Sequence, residues 1–310
     1  MSRFEDLLDM FEERPLAIAT HGLERRFGRQ TALAGLDLRV PEGAVYLLVG
    51  PNGAGKTTTL NCLLDLVPAD RGRIEIFGLP VPERGPEARA QIGVVPDDPK
   101  TGYDGVAVER LFAYHARFYP SWDEAYARRL ANALEVPTDR RFDKLSKGQA
   151  RRAQLVLALA HRPRLLLLDE PTDGLDPLAR DLALGLLADH LAAAPTTVLI
   201  STHLPYEVEG LADHLGVLRG GRLVTQLDRT ALDRRLHRLL FQVPDGWSPP
   251  PALEEVVLRR EGGGRELAWT LWGERDDLEA LVQASGATLR AAEHPTLEQA
   301  CRVLLALEDR

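Results

Sequence analysis

The stretch Gly50-Pro51-Asn52-Gly53-Ala54-Gly55-Lys56-Thr57 restricts this chain more than any other. It has the spacing G-x-x-x-x-G-K-[ST], follows the apolar run Val45 to Val49, and precedes a helix-like run, Thr58 to Leu66. A strand, a glycine-rich turn and a helix, in that order, are the context in which this spacing holds phosphate. The glycines let the backbone curl so that successive N–H groups point inward as a nest for anionic oxygens. The helix start adds its unpaired N–H groups and the positive end of its dipole. A nucleoside triphosphate is therefore the expected ligand, held by Gly50, Asn52, Gly53, Ala54, Gly55, Lys56, Thr57 and Thr58. Lys56 reaches the β/γ-phosphates in this reading, and the Thr57 hydroxyl is a ligand for Mg2+.

Leu165-Leu166-Leu167-Leu168-Asp169-Glu170 is the second strong signal. A short unbroken apolar run is a strand buried on both faces. In a chain with a phosphate loop, an acid at the C-terminal end of such a strand stands where Mg2+ is held. That part falls to Asp169. Glu170, one residue on, points elsewhere and is placed to orient the attacking water.

The total of 310 residues has room for one large or two modest domains, and its apolar content is that of a packed globular protein. Net charge is −8 with no long basic run, so nucleic-acid binding is not expected. Lysine is confined to Lys56, Lys100, Lys144 and Lys147. Lys56 sits where a compact ammonium on a flexible stem is wanted rather than a planar fork. Cys62 and Cys301 lie far apart in apolar surroundings with no ligand spacing, and read as small buried hydrophobes in a reducing compartment. The acidic N-terminus lacks the apolar region of a secretory signal. The longest apolar stretch, Leu182 to Ile200, holds Asp189, His190 and Pro195, so no membrane-spanning helix is expected.

Taken in order, residues 1–14 read as a short acidic amphipathic helix with Phe4, Leu7, Leu8 and Phe11 at helical spacing. Strands are predicted at Leu16 to Leu23, Leu36 to Val40 and Gly72 to Phe77, with a loop at Pro80 to Gly85 and a buried strand at Ile92 to Val95. Helical period then runs through Val106 to Phe118, Asp123 to Leu134 and Lys147 to His161, an all-helical insert in an α/β core. A helix at Pro177 to Ala193, a strand at Thr197 to Ser201, a short helix at Pro205 to Asp213 and a hairpin through Gly220-Gly221 follow. From Asp228 the pattern resets. A helix-like linker at Ala231 to Leu239, strands at Leu240 to Val243, Glu255 to Arg260, Glu266 to Leu271 and Thr288 to Ala291, and helices at Arg275 to Ala284 and Leu297 to Leu305 make residues 229–310 a small α+β domain.

The motifs between these elements resemble those of the ATP-binding-cassette (ABC) ATPases. Leu145-Ser146-Lys147-Gly148-Gln149 resembles the LSGGQ signature, with Lys147 at its third position. Gly174-Leu175-Asp176 resembles the D-loop, and Ser201-Thr202-His203 the switch histidine. Phe27 stands where the family has an aromatic ring that stacks on adenine. Order and spacing agree across residues 16–225. The C-terminal part, ending in Pro295-Thr296-Leu297-Glu298-Gln299, more weakly resembles the extension of exporter-branch subunits that serve separately encoded membrane proteins.

The resemblance implies an α/β P-loop NTPase core with an antiparallel β subdomain and a helical signature subdomain at about residues 100–161, within an ATPase domain at 16–228. Residues 1–15 form an N-terminal extension and 229–310 a C-terminal accessory domain. It implies ATP and Mg2+ as cofactors and a head-to-tail dimer, expected to be a homodimer. Each ATP is sandwiched between one chain's phosphate loop and the other's Ser146, Gly148 and Gln149, with Asp176 crossing the interface. Ser146 also reads as the N-cap of a long helix. Glu170 becomes the general base or water-orienting residue and His203 the γ-phosphate sensor. Integral membrane transporter subunits are the expected partners, placing the protein on the cytoplasmic face of the membrane. Tyr103, Leu111, Phe112 and Phe118 are candidates for the docking groove or for the core of the insert. A soluble cassette ATPase working on a macromolecular complex is the alternative, disfavoured by a single cassette, no sustained heptads and no basic arm. One departure is marked. The family usually has glutamine after Ile-Gly-Tyr-Val-Pro, and this chain has Asp97 after Pro96, a hard oxygen ligand within reach of Mg2+. Asp173, where the family prefers a small residue, is a milder departure.

Overall fold

The structure, a computed structural model, describes residues 14–99 and 102–307. The helix expected over residues 1–14 lies almost wholly outside them. Strand β1 (Leu16–Phe27) is the spine of an antiparallel sheet with β2 (Gln30–Leu36), β3 (Arg39–Pro41), β5 (Arg71–Ile76) and β6 (Leu79–Val81), in which β3 also pairs with β1. β1 runs on to Phe27, beyond the expected end, and the single strand expected at Leu36 to Val40 is a break between two strands. The cause is non-local: Thr20 Oγ1 donates to Leu36 O and accepts from Leu38 N, both at 2.8 Å, and turns the chain there.

A second sheet has the order β11-β10-β4-β9-β8-β7. Its members β4 (Val45–Val49), β7 (Ile92–Val95), β8 (Leu165–Asp169), β9 (Thr197–Thr202) and β10 (His214–Arg219) are parallel, and β11 (Arg222–Asp228) closes the edge as a hairpin partner. Both faces are covered. Val45, Leu47 and Val49 enter one apolar cluster while Tyr46 and Leu48 enter the other, and Leu166 and Leu168 divide from Leu165 and Leu167 in the same way. That is why these strands read as unbroken apolar runs. Helix α1 (Lys56–Leu63) follows β4, and α6 (Pro177–Ala193) has the bounds expected from sequence. The helical insert consists of α3 (Val108–Phe118), α4 (Glu124–Ala133) and α5 (Lys147–Ala160). Of its candidate surface residues, Leu111 and Phe112 are buried in the core. Tyr103 is half-buried with its ring 5.1 Å from that of Phe142, and Phe118 is exposed beside Tyr114.

Four further local expectations fail. The loop at Pro80 to Gly85 contains the end of β6 and leads into a five-residue helix, α2 (Gly85–Arg89), too short to show a period. The helix expected at Pro205 to Asp213 is one 3-10 turn, Pro205–Glu207. After α7 (Arg229–Arg235), β12 (Leu236–Gln242) begins four residues early, and α8 (Pro251–Val256) takes the start of the strand expected from Glu255.

β12, β13 (Val257–Gly263), β14 (Glu266–Trp272) and β15 (Thr288–Glu293) form an antiparallel sheet of order β13-β14-β12-β15. With α8 and α9 (Arg275–Ala284) it encloses its own apolar cluster, including Leu239, Phe241, Trp269 and Leu278. The last helix, α10 (Leu297–Leu305), does not join that cluster. Leu297, Ala300, Cys301, Val303 and Leu304 belong to the core under the parallel sheet. A Thr296–Gln299 capping box starts the helix, Glu209 Oε1 accepts from Leu297 N at 3.1 Å, and Arg219 Nη1 donates to Leu305 O at 2.6 Å. Among the described residues no helix is long and apolar enough to cross a membrane.

Candidate functional site

Phosphate loop, Asp97, Asp169, Glu170 and His203 all lie at or just beyond the C-terminal ends of parallel strands. In open α/β sheets this is the edge where ligands bind. β4 lies between β10 and β9, so the loop after β4 is flanked by the ends of both. Two glycines are required there by space. A Cβ on Gly50 would stand 2.2 Å from Leu218 O, and one on Gly55, at φ +111°, 2.6 Å from Ala32 O. Lys56 Nζ donates to the loop's own carbonyl at Gly50 (2.8 Å). Burial lowers the Lys56 pKa, while Glu170, Asp169 and Asp97 favour its charge.

A cavity of about 560 Å³ opens over this loop. From the predicted set it brings together Phe27, Asn52, Gly53, Ala54, Gly55, Lys56, Thr57, Thr58, Asp97, Glu170 and His203. Gln30, Ala32 and Asp173 also wall it. Phe27 is half exposed at its edge, with the Arg25 guanidinium 4.7 Å from its ring centre. Gly50 and Asp169 do not wall the cavity. Ser146, Gly148, Gln149 and Asp176 do not wall the cavity. They form the starts of two helices: Ser146 Oγ accepts from Gln149 N at 3.1 Å and Gln149 Oε1 from Ser146 N at 3.0 Å, while Asp176 caps α6 through Ala179 N at 2.9 Å. Gly148 approaches the D-loop closely, since a Cβ there would lie 2.7 Å from Gly174 O. Lys147, at the third position of the signature, pairs with Asp173, Nζ to Oδ2 at 2.6 Å.

Asp169 is almost fully buried at the end of β8, and its Oδ1 has no hydrogen-bond partner. Burial raises its pKa. The Thr57 and Ser201 hydroxyls act against that, and the charges of Asp97 and Glu170 reinforce it. The Ser201 hydroxyl is near enough to influence the carboxyl but makes no well-formed hydrogen bond, for Ser201 Oγ is also without a partner. A buried carboxylate oxygen left free beside the exposed Thr57 is a hard oxygen donor of the kind Mg2+ takes. Among the described residues no three His, Cys, Asp or Glu side chains cluster as a metal site. Mg2+ in nucleotide sites needs only one or two carboxylates, because phosphates and water complete its shell.

Glu170 has φ +46°, a left-handed conformation uncommon for a side-chain-bearing residue, and its N–H donates to Ser201 O at 2.8 Å. That bend turns its carboxylate across to the end of β9. There Oε2 accepts from Thr202 Oγ1 at 2.8 Å and Oε1 from His203 N at 3.0 Å, with His203 Nδ1 2.8 Å away. Thr202 entered the sequence reading only as part of the motif ending in His203 and was given no role there. Glu207 was missed as well: its nearly buried carboxylate accepts from Thr172 Oγ1 and, at 2.7 Å, from Arg180 Nη1, tying the loop after Glu170 to α6. Such a set can hold a polyanion with a divalent cation and orient a water against it.

Residues 33–173 match the family described as ABC transporter. Nod factor export ATP-binding protein I of Burkholderia lata is 42% identical over 208 residues, 66% of this chain and 68% of that protein. ABC transporter ATP-binding protein YtrB of Bacillus subtilis is 33% identical over 219 residues, 71% of this chain and 72% of that one. A solved structure described as the ATP-binding subunit of an ABC transporter superposes with a TM-score of 0.63 at 27% identity, covering 70% of this chain and 92% of that chain. A bacterial Atm1-family ABC exporter with ATP bound gives 0.60 at 26% identity, covering 74% and 41%. The chain belongs to the ATP-binding subunits of ABC transporters and is an ATPase of that family.

Proposed function

We propose that this subunit binds ATP with Mg2+ in the cavity over Gly50–Thr57 and hydrolyses it as half of a head-to-tail dimer that drives separately encoded membrane subunits. The observation that carries the reading is the placement of Lys56, Thr57 and the fixed Glu170 carboxylate on one cavity, with the free Oδ1 of the buried Asp169 beside Thr57. Thr57 and Asp169 would hold Mg2+, with Asp97 beside them, and the ion when bound neutralises charge on the β- and γ-phosphates. Lys56 exchanges the Gly50 carbonyl for phosphate oxygens. Glu170 orients and deprotonates the attacking water, and His203 meets the γ-phosphate. Phe27 stacks on adenine.

Ser146, Gly148, Gln149 and Asp176 lie outside the cavity wall of their own chain. A role for them on nucleotide held by a second copy follows from that placement and from the family. The ATPase domain then spans 16–228, with the helical subdomain at 100–161 and residues 1–15 as an extension. Residues 229–310 act as an accessory α+β part that returns α10 to the ATPase core. Work on the inner face of the membrane follows from the partnership, and export from the relatives named for Nod factor export.

Purified protein should hydrolyse ATP only with Mg2+, and Lys56→Ala should lower kcat/KM by about 100-fold, the scale of losing one positioned charge donor. Tagged protein isolated from membranes should bring down a multi-spanning partner. Recovery of ribosomes or DNA in its place would establish the soluble alternative.

A further inference from the structure

Arg151 lies on α5, five residues past the signature serine, and has no exposed surface. Among the described residues all of its hydrogen bonds go to neutral oxygens. Nη1 donates to Pro96 O and to Gln154 Oε1 (3.3 Å), Nη2 donates to Asp97 O (2.6 Å), and Nε has no partner. Gln154, one turn on, donates to Pro99 O at 3.0 Å. The segment after β7 is thus bound to α5 through three successive carbonyl contacts, at Pro96, Asp97 and Pro99. A buried guanidinium without a carboxylate partner is costly unless charge elsewhere offsets it. Here the acids of the nucleotide site supply the offset: burial pulls the Arg151 pKa down, while Asp173, Asp97, Asp169 and Glu170 each favour its charge.

We propose that Arg151 is a positioning residue that fixes the Asp97 backbone to the signature helix and supplies the buried positive charge that allows a carboxylate to stand at Asp97 in a site for a polyanion. This rests on the reading of Asp97 as part of the nucleotide site. It accounts for a departure the family pattern leaves unexplained, since glutamine at residue 97 would place no negative charge against ATP and would need no compensation. It also makes Asp97 and the first turn of α5 move together. The charge effect has a definite sign. Without Arg151 the site becomes more negative, so ATP binds more weakly, and neutralising residue 97 restores the balance.

Equilibrium binding of ATP with Mg2+ and the unfolding midpoint without nucleotide test this across Arg151→Gln, Arg151→Lys, Asp97→Gln and the Arg151→Gln/Asp97→Gln double variant. Arg151→Gln should weaken ATP binding about tenfold, the size of one unscreened charge interaction at the edge of the interior. Its effect should fall below about twofold once residue 97 is glutamine, the non-additivity that marks coupled residues. Arg151→Lys, which keeps the charge, should retain most of the affinity. Equal losses for Arg151→Gln in both backgrounds, equal losses for lysine and glutamine, or failure to fold whatever occupies residue 97 would each overturn the proposal. ATP binding by the wild-type chain, lost in Lys56→Ala, checks the site itself independently of the coupling.

Discussion

Glu170 and His203 are joined twice through one oxygen: Oε1 accepts the His203 backbone N–H at 3.0 Å and faces its Nδ1 at 2.8 Å. Thr202 Oγ1 holds the other carboxylate oxygen at 2.8 Å. With a carboxylate facing Nδ1, the proton belongs on that nitrogen and Nε2 is left for another partner. The histidine that would report the γ-phosphate is therefore held by the carboxylate that would act on water. In the proposed mechanism, loss of phosphate and reorientation of the base would be coupled through these contacts between the ends of β8 and β9.

Phe27 offers a half-exposed ring at the cavity edge, backed by Arg25, which Asp70 in turn holds at 3.0 Å. Phe27→Ala should raise the KM for ATP by about 5- to 150-fold with little change in kcat, the range set by about 1–3 kcal/mol for stacking a base on an aromatic side chain. Phe27→Tyr should behave as wild type. Steady-state kinetics on the two variants check this.

His190 is buried under α4, with Nδ1 2.9 Å from Tyr126 Oη, and burial lowers its pKa from 6.5 to about 4. Burial lowers His161 in the same direction. Above pH 6.5 the imidazole is neutral whether the chain is folded or not, and its contribution is whole. As pH falls from there toward 4 only the unfolded chain takes up the proton, so stability is lost. The expected loss is about 1–3 kcal/mol for His190. Urea midpoints at pH 7.5 and pH 5 should diverge in the wild type and diverge less in His190→Gln.

Leu304 on α10 has no exposed surface and packs under the parallel sheet, not in the C-terminal cluster. Leu304→Ala should cost about 2–5 kcal/mol, as for other large buried side chains reduced to alanine. The loss should appear in the thermal transition that ATP shifts. Leu278→Ala, within the C-terminal cluster, should leave that transition in place.

What was legible in the chain follows from where each signal is encoded. The phosphate loop, β8 and α6 are written locally, as glycine spacing, an apolar run and a capped helix with proline at its start. Break and register in the antiparallel sheet were not, because Thr20 acts from sixteen and eighteen residues away. α10 shows the same limit at larger scale: its bounds were readable, but no periodicity says which core a helix joins. In the site, residue types were readable and their linkage was not. The left-handed bend at Glu170, the bridge made by Glu207 and the contact of Arg151 with the chain at Asp97 exist only once strands and helices are brought together.

The cavity is walled by one chain's phosphate loop and strand ends, and the signature residues Ser146 and Gly148 stand outside it. In the proposed reading a second copy completes the site. Glu170→Gln keeps the shape of the residue while removing the base, so it should bind ATP, turn over at least about 100-fold more slowly and accumulate the closed dimer. The direct measurement is the mass in solution of Glu170→Gln with saturating ATP and Mg2+. Doubling on addition of ATP, abolished by Lys56→Ala, is the predicted result. A protein that binds ATP and remains monomeric, or a Glu170→Gln variant with full turnover, would contradict it.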